Sequence, residues 1–118
     1  VHGHCVTFGR TAGVIAGKST KLGGLTRSKE VVAIARTAGV ACHAATSLEG
    51  PIGTMASLHL ACAEPGFNYG SELFGPLLLA ETYVTTPIRY EARRVHLPEG
   101  PGLGVEIDHD AVEKFTRR

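Results

Sequence analysis

Short apolar runs alternate with segments of helical periodicity between residues 14 and 72, and this alternation most narrows the possible folds. The runs at residues 14–16, 40–42 and 67–71 predict three buried strands, the first of which ends near Lys18. Strand–helix–strand alternation is typical of parallel βαβ units. Strands in such units are apolar throughout, because helices cover both faces of the sheet. The sequence therefore predicts an α/β fold.

Two helices separate the predicted strands. The first is predicted at residues 26–38, after a loop at Gly23-Gly24 and before a stop at Gly39. The second begins at Pro51, because the missing N–H of proline costs little in a first helical turn. The spacing of apolar residues predicts which side chains of each helix point inward. In the first helix these are Val31, Ile34, Ala35 and Ala38. In the second they are Ile52, Met55, Ala56, His59 and Leu60.

The C-terminal part of the sequence has a different pattern. Residues 83–97 alternate well enough to predict antiparallel strand pairing, and residues 98–104 are rich in turn formers. Residues 105–107 predict one further short strand. Asp108 or Asp110 is a candidate N-cap for a final helix.

Three parallel strands with two helices would leave open sheet edges and uncovered apolar faces. A complete (β/α) barrel needs about 250 residues, so the pattern predicts the last part of a larger TIM-type barrel. We divide the chain into an unassigned segment at 1–13, a partial barrel at 14–80 and an extension at 81–118.

Composition excludes several classes of function. The formal net charge of the 118 residues is +1, which gives no field that would attract nucleic acid or an anionic membrane. No apolar run approaches the roughly 20 residues that span a bilayer, and no signal peptide is visible. The odd set of Cys5, Cys42 and Cys62 predicts reduced, buried thiols in a cytoplasmic protein.

Four segments carry long, ordered motifs: VIAGKSTKLGG at 14–24, ACHAATSLEGPIGT at 41–54, YGSELFGPLLL at 69–79 and PEGPGLGVEIDHD at 98–110. Together these motifs resemble muconate cycloisomerases of the enolase superfamily. The first resembles the sixth barrel strand and its loop, the second the seventh strand, and the third the eighth strand. The fourth resembles the stretch that returns to the capping domain of the family. Gly17 stands where the family usually has a larger apolar residue, which predicts a looser strand.

The resemblance assigns candidate roles to individual residues. Lys18 matches a lysine that faces the substrate at the end of the sixth strand, and Glu72 matches an acidic residue at the end of the eighth. Both are candidate catalytic residues. Ser47, Glu49 and Phe74 match positions on the rim or wall of the same site and are candidate substrate-binding residues. Lys21 is a weaker candidate in the loop after Lys18.

The residues themselves support this assignment. All of these side chains follow predicted parallel strands, where barrel enzymes place their chemistry. A lysine between apolar walls can exchange protons, or it can stay charged and stabilise an enolate.

The reaction that the resemblance implies is the reversible cycloisomerisation of cis,cis-muconate, a small dicarboxylate, to muconolactone. A divalent metal, Mn²⁺ or Mg²⁺, would neutralise the enolate charge. Its carboxylate ligands lie on barrel strands that this chain does not contain. We therefore expect the chain alone to be inactive, and we expect its partner to be the remainder of the barrel or further copies in a homo-oligomer.

Two alternatives stay open. The first is another member of the superfamily, such as a chloromuconate cycloisomerase or a dipeptide epimerase. The second is a non-catalytic fragment whose exposed strand edge and apolar faces drive self-association or partner binding.

Other polar residues have ordinary interpretations. His2, His4 and Cys5 could hold a metal, but no fourth ligand has useful spacing. His43 and His59 are interpreted as packed or solvent-bridging histidines. Gly23-Gly24 is interpreted as a tight turn, because no phosphate-binding motif surrounds it.

Overall fold

A three-stranded parallel sheet organises the first part of the chain. This computed structural model describes residues 13–116. The strands are β1 (Val14–Lys18), β2 (Ala41–Ala45) and β3 (Ser71–Glu72), in the spatial order β1-β2-β3. Each neighbouring pair is parallel, so the predicted α/β fold is confirmed.

Three helices connect these strands. They are α1 (Ser19–Leu22), α2 (Leu25–Thr37) and α3 (Pro51–Ala63). The short helix α1 was not expected from the sequence. It ends at Gly23, whose φ of 88° lies in the left-handed region that glycine adopts without strain.

The buried face of α2 differs from the predicted one. Its buried residues are Ser28, Val32 and Ala35, whereas Ala38 is exposed. Ser28 can lie inside because its hydroxyl donates a hydrogen bond of 2.8 Å to the carbonyl of Gly24. The prediction missed this position because it counted only apolar residues.

Helix α3 is buried on more than one side. Met55 and Leu60 are buried as predicted, while the other predicted inward residues are half-buried. Thr54, Ser57 and Leu58 are also buried. The hydroxyls of Ser57 and Ser19 lie 2.8 Å apart, which joins α3 to α1. A helix with neighbours on several sides does not present a single apolar stripe.

Strand β3 is shorter and later than predicted. It covers two residues instead of the run at 67–71. Two further backbone bonds extend its pairing with β2. The Tyr69 N–H donates to Cys42 at 3.1 Å, and the Ala44 N–H donates to Gly70 at 3.2 Å. Gly70 has a φ of 82°, which interrupts the extended conformation before the strand begins.

The predicted loosening of β1 at Gly17 is wrong. All five residues of β1 pair in register with β2. A Cβ atom on Gly17 would lie 3.1 Å from Cε1 of Phe67, so the phenyl ring already occupies that space.

Two apolar clusters form the core. The first lies between the sheet and α2, where Val32, Ala35, Val40 and Cys42 pack with Ile15 and Phe67. The second lies on α3, where Met55, Leu58 and Leu73 pack with Ile88, Val95, Leu103 and Val105. The extension therefore covers α3 with four apolar side chains spread over residues 88–105.

The extension contains little regular structure. Strands β4 (Tyr90–Glu91) and β5 (Arg94–Val95) form an antiparallel hairpin, which is much shorter than the pairing predicted over 83–97. The strand predicted at 105–107 is reduced to a single bridge between Val84 and Ile107. Asp108 caps helix α4 (His109–Phe115) by accepting a hydrogen bond of 3.0 Å from the Ala111 N–H, so the predicted cap is confirmed.

The cysteine prediction was half right. Cys42 and Cys62 are free thiols, and Cys42 is buried, whereas Cys62 is exposed. Burial raises the pKa of the Cys42 thiol. Among the described helices, none has the length and apolar character that crossing a bilayer requires.

Candidate functional site

The strand ends place two of the candidate residues in one row of the sheet. Lys18 pairs with Ala45, and Ala45 pairs with Glu72. Because adjacent strands lie about 4.8 Å apart, the backbones of Lys18 and Glu72 are about 10 Å apart. Residues in one row of a parallel sheet point to the same face, so both side chains project from that face.

This face of the sheet is exposed along β1, although Ala45 of β2 is fully buried on it, whereas the opposite face is covered. Side chains alternate along a strand, so Ala16 and His43 lie on the same face as Lys18. Ala16 is exposed, and Val14, at the other end of that face, keeps 38% of its surface exposed. Ile15 and Cys42 point the other way, into the cluster beneath α2. We call the uncovered side the open face.

His43 contacts Glu72 on the open face. Its Nε2 atom lies 3.5 Å from Oε2 of Glu72, and the two side chains are 24% and 49% exposed. From the sequence alone, His43 is interpreted as a packed or solvent-bridging histidine. One feature of the sequence could have identified His43 as a site residue. It lies two residues before the end of β2, and this spacing places it on the same face as Ala45.

The loop after β2 is held by its own acidic residue. Oε1 of Glu49 accepts a hydrogen bond of 2.6 Å from the Thr20 hydroxyl, and Oε2 accepts one from the Ser47 N–H. The Glu49 carbonyl accepts a third, of 2.9 Å, from the Thr54 hydroxyl. Glu49 thus joins this loop to α1 and to the first turn of α3. We call residues 47–50 the rim loop.

The pKa of the Glu49 carboxyl is lowered from its ordinary value. Desolvation by partial burial acts to raise it. Hydrogen bonds from Thr20 and from backbone N–H groups, together with the positive charge of Lys18, outweigh desolvation. Glu49 is therefore held as a carboxylate on the side of the rim loop that faces Lys18.

Two glycines allow other segments to approach the rim loop closely. A Cβ atom on Gly75 would lie 2.1 Å from the Glu49 carbonyl oxygen. A Cβ atom on Gly50 would lie 2.3 Å from the hydroxyl oxygen of Tyr83, which belongs to the extension. The rim loop is thus packed between the segment after β3 and the extension. Within the loop, Leu48 has a φ of 64°, a left-handed conformation that is unusual for a residue with a side chain.

Phe74 lies beside Glu72 in a cleft of about 380 Å³. Leu77, Tyr90 and Val95 provide apolar wall in the same cleft, and Arg93 and Arg94 add positive charge. The Tyr90 hydroxyl donates a hydrogen bond of 2.8 Å to the Leu73 carbonyl, which joins the hairpin to the end of β3. The cleft thus has one wall from the sheet region and one from the extension.

The candidate residues fall into two groups. Lys18, Glu72 and the additional His43 share the open face, and Phe74 borders it. Ser47 and Glu49 lie together in the rim loop. Lys21 is exposed in α1, and the Nε2 atom of His59 lies 3.2 Å from the Leu103 carbonyl, in the contact between α3 and the extension.

The described residues do not provide a metal site. Across residues 13–116, no group of three or more His, Cys, Asp or Glu side chains is arranged to hold a metal ion. The cluster of His2, His4 and Cys5 lies outside the described residues.

A family model and curated relatives match this chain. The model described as "Enolase C-terminal domain-like" matches residues 9–111. Muconate cycloisomerase 1 of Rhodococcus opacus is 65% identical over 106 residues, which are 90% of this chain and 28% of that protein. A chloromuconate cycloisomerase of Delftia acidovorans is 39% identical over 100 residues, which are 85% of this chain and 27% of that protein. The chain thus spans less than a third of the length of these relatives.

Solved structures match the fold almost completely. A muconate lactonizing enzyme from Klebsiella pneumoniae superimposes with a TM-score of 0.93 and 38% identity, over 98% of this chain and 32% of that one. The enzyme from Pseudomonas putida gives a TM-score of 0.94 and 36% identity, over the same shares of the two chains. These matches confirm the predicted fold as the C-terminal portion of such an enzyme's barrel domain.

Proposed function

Because this chain belongs to the enolase C-terminal domain-like family, we propose that it forms the C-terminal part of a muconate cycloisomerase. The observation that carries this proposal is the 65% identity to a muconate cycloisomerase over 90% of the chain. The placement of Lys18 and Glu72 in one row at the strand ends supports it, because barrel enzymes carry their chemistry at those ends.

The proposed substrate is cis,cis-muconate. One substrate carboxylate oxygen adds to a double bond, and the electron pair moves onto the carbon next to the other carboxylate, which gives an enolate. The Lys18 ammonium then donates its proton to that carbon, and muconolactone results. In the reverse direction the neutral Lys18 amine removes the same proton. After the enolate forms and before Lys18 gives up its proton, the positive charge of the ammonium stabilises the enolate.

The remaining candidate residues have proposed roles in binding. Phe74 supplies an apolar wall beside Glu72, against which the hydrocarbon part of the substrate packs. Ser47 is exposed on the rim loop, where its hydroxyl can donate a hydrogen bond to a substrate carboxylate. Glu49 holds that loop through Thr20 and contacts the substrate at the rim. Glu72 faces the substrate from the end of β3.

The rest of the site comes from outside this chain. A divalent metal ion, Mn²⁺ or Mg²⁺, would supply positive charge in the complete enzyme, and the described residues do not fit such an ion. Residues 14–80 would complete a barrel with further strands, and residues 81–118 would pack on a capping domain. The active form would be this larger cytoplasmic enzyme or its homo-oligomer.

A chloromuconate cycloisomerase is the alternative within the enzyme class, and the match to the Delftia acidovorans protein favours it. A non-catalytic role in self-association is favoured by Leu77 and Leu78, which keep 62% and 60% of their surface exposed. Measurable turnover distinguishes an enzyme from a non-catalytic protein. The ratio of kcat/KM for muconate to that for chloromuconate distinguishes the two cycloisomerases.

The test is a muconate absorbance assay with Mn²⁺ on the complete protein that contains this chain. We expect Lys18→Met to lower kcat by at least about 100-fold, in the range typical of general acid–base groups. Lys29→Met is the control, because Lys29 is exposed on α2, away from the open face. No turnover by the wild-type protein, or full activity of Lys18→Met, would refute the proposed function. Turnover by residues 1–118 alone would refute the need for the remaining strands.

A further inference from the structure

We propose that His43 is a positioning residue that holds the Glu72 carboxylate on the open face. This inference rests on the proposed function, because it assigns His43 a role through Glu72 in the same site.

The sheet register brings the two residues together. His43 pairs with Ala16 in β1, and Glu72 pairs with Ala45 in β2. Since His43 lies two positions before Ala45, it is the diagonal neighbour of Glu72 on the same face. The 3.5 Å between Nε2 and Oε2 shows that the two side chains meet across these parallel strands.

Small neighbours leave the imidazole room to lean toward β3. Ala16 lies beside His43 in the next strand, and Ala45 follows it on the same face. Neither side chain extends beyond its Cβ atom. The buried cluster beneath α2 uses Cys42, which points to the opposite face. His43 is therefore not part of the packed core, and its neighbourhood is the open face.

The Glu72 side chain needs a contact that fixes it, because strand β3 is only two residues long. Strand β3 has two residues, and its backbone is fixed by pairing with β2 and by the Thr46 hydroxyl, which donates to the Glu72 carbonyl at 3.2 Å. These bonds fix the main chain but leave the torsions of a long side chain to be fixed by other contacts. The imidazole of His43 contacts the carboxylate itself.

The charges on the open face also favour this role. Lys18 and Glu72 project from the same face, and Arg93, Arg94 and Glu91 line the cleft beside Glu72. A Glu72 carboxylate that moved among Lys18, Arg93 and Arg94 would present a changing charge distribution to a dicarboxylate substrate. By holding Glu72 beside β2, His43 fixes where the negative charge lies relative to Lys18.

The first test compares two substitutions in the complete protein. His43→Leu removes the contact, whereas His43→Gln keeps an N–H donor near the position of Nε2. We expect His43→Leu to lower kcat by about 10- to 100-fold, because small misplacements of catalytic groups have effects of this size. KM should change less, and His43→Gln should recover most of kcat. The matched control makes both changes at His109, which is exposed on α4.

A double-substitution cycle then asks whether His43 acts through Glu72. In a Glu72→Gln background, His43→Leu should have almost no further effect on kcat, because coupled residues are not additive. Equal losses in both backgrounds would overturn the inference, as would a His43→Gln variant no better than His43→Leu.

A crystal structure of the complete protein separates this inference from the proposed function. We expect the Glu72 carboxylate within ion-pair distance of His43 in the wild type and displaced in His43→Leu, whether or not muconate is consumed. An unmoved carboxylate would overturn the inference while leaving the function intact. Absence of muconate turnover together with a displaced carboxylate would refute the function and retain the positioning contact.

Discussion

The sheet region, residues 13–80, and the extension, residues 81–116, are held together in different ways. The sheet region has its own hydrogen-bonded ladder and its own apolar cluster between the strands and α2. The extension has two strands of two residues each, one isolated bridge and one short helix. Its apolar side chains pack on α3 in the second cluster. The extension therefore depends on a surface that the sheet region provides.

Both regions stabilise the candidate site. The open face belongs to the sheet region, but the cleft beside Glu72 has a wall from each region. Tyr83 packs on Gly50 of the rim loop, and Tyr90 bonds to Leu73 after β3. The extension thus supports the site from outside without adding a strand to the sheet.

We expect the largest loss of stability from a substitution in the second apolar cluster, to which both regions contribute side chains. Met55 is fully buried there, so Met55→Ala removes apolar contacts and leaves a cavity. We expect the free energy of unfolding to fall by about 2–5 kcal/mol, with both regions unfolding together in urea. Val32→Ala is the comparison, because Val32 lies in the cluster of the sheet region alone. If Met55→Ala released the extension while the sheet stayed intact, the cluster would not couple the regions.

The next effect concerns the contact between the rim loop and the extension. Gly50→Ala places a methyl group against the Tyr83 hydroxyl, so we expect a loss of about 1–3 kcal/mol in stability. Tyr83→Leu makes room, and the loss from Gly50→Ala should be smaller in that background. Chemical denaturation of the four variants measures this coupling. Additive losses would show that the two regions do not meet at this point.

A smaller effect should stay within the extension. Asp108→Ala removes the N-cap of α4 and should destabilise that helix by about 1 kcal/mol. Asp108→Asn should retain most of the cap. Amide hydrogen exchange should become faster in α4 and stay unchanged in the sheet. Faster exchange along β1 or β2 would show that the cap of α4 also influences the sheet.

We expect the smallest change in stability from a substitution of Glu49, and the size of that change should depend on pH. Its pKa is lowered from 4.5 in the folded chain, so its stabilisation is complete above the pKa of the unfolded state. That stabilisation is lost as the pH falls through the folded-state pKa, in the range below about 4.5. Glu49→Gln should remove this part of the acid sensitivity, and Thr20→Val should remove some of it. Unfolding curves between pH 3 and 6, roughly the range over which a carboxyl titrates, would measure the change. An unaltered slope in both variants would contradict it.

Sequence reasoning succeeded where the signal was local. Lys18 and Glu72 were predicted at strand ends because each follows or ends an apolar run, and the register confirms that they share a row. The N-cap of α4 was narrowed to Asp108 or Asp110, since the N-cap preference depends on a few adjacent residues, and the structure selects Asp108. Their roles in the reaction stay predictions.

Sequence reasoning failed where a residue's surroundings come from distant segments. Helix α3 has neighbours on several sides, so its burial does not follow one stripe, and Ser57 is buried against Ser19, far away in the chain. The partner of Glu49 is Thr20, 29 residues away. The contact between His43 and Glu72 required the strand register, which no local pattern contains.

The phenyl ring beside Gly17 has a consequence for how this family's sequences diverge. Because Phe67 fills the space over Gly17, a larger residue at position 17 requires a smaller or displaced residue at position 67. The two positions, fifty residues apart in the chain, share one packing space. A lineage that enlarges residue 17 first would pass through a crowded intermediate, whereas one that shrinks residue 67 first would pass through a cavity. We expect substitutions at these two positions to appear together among relatives.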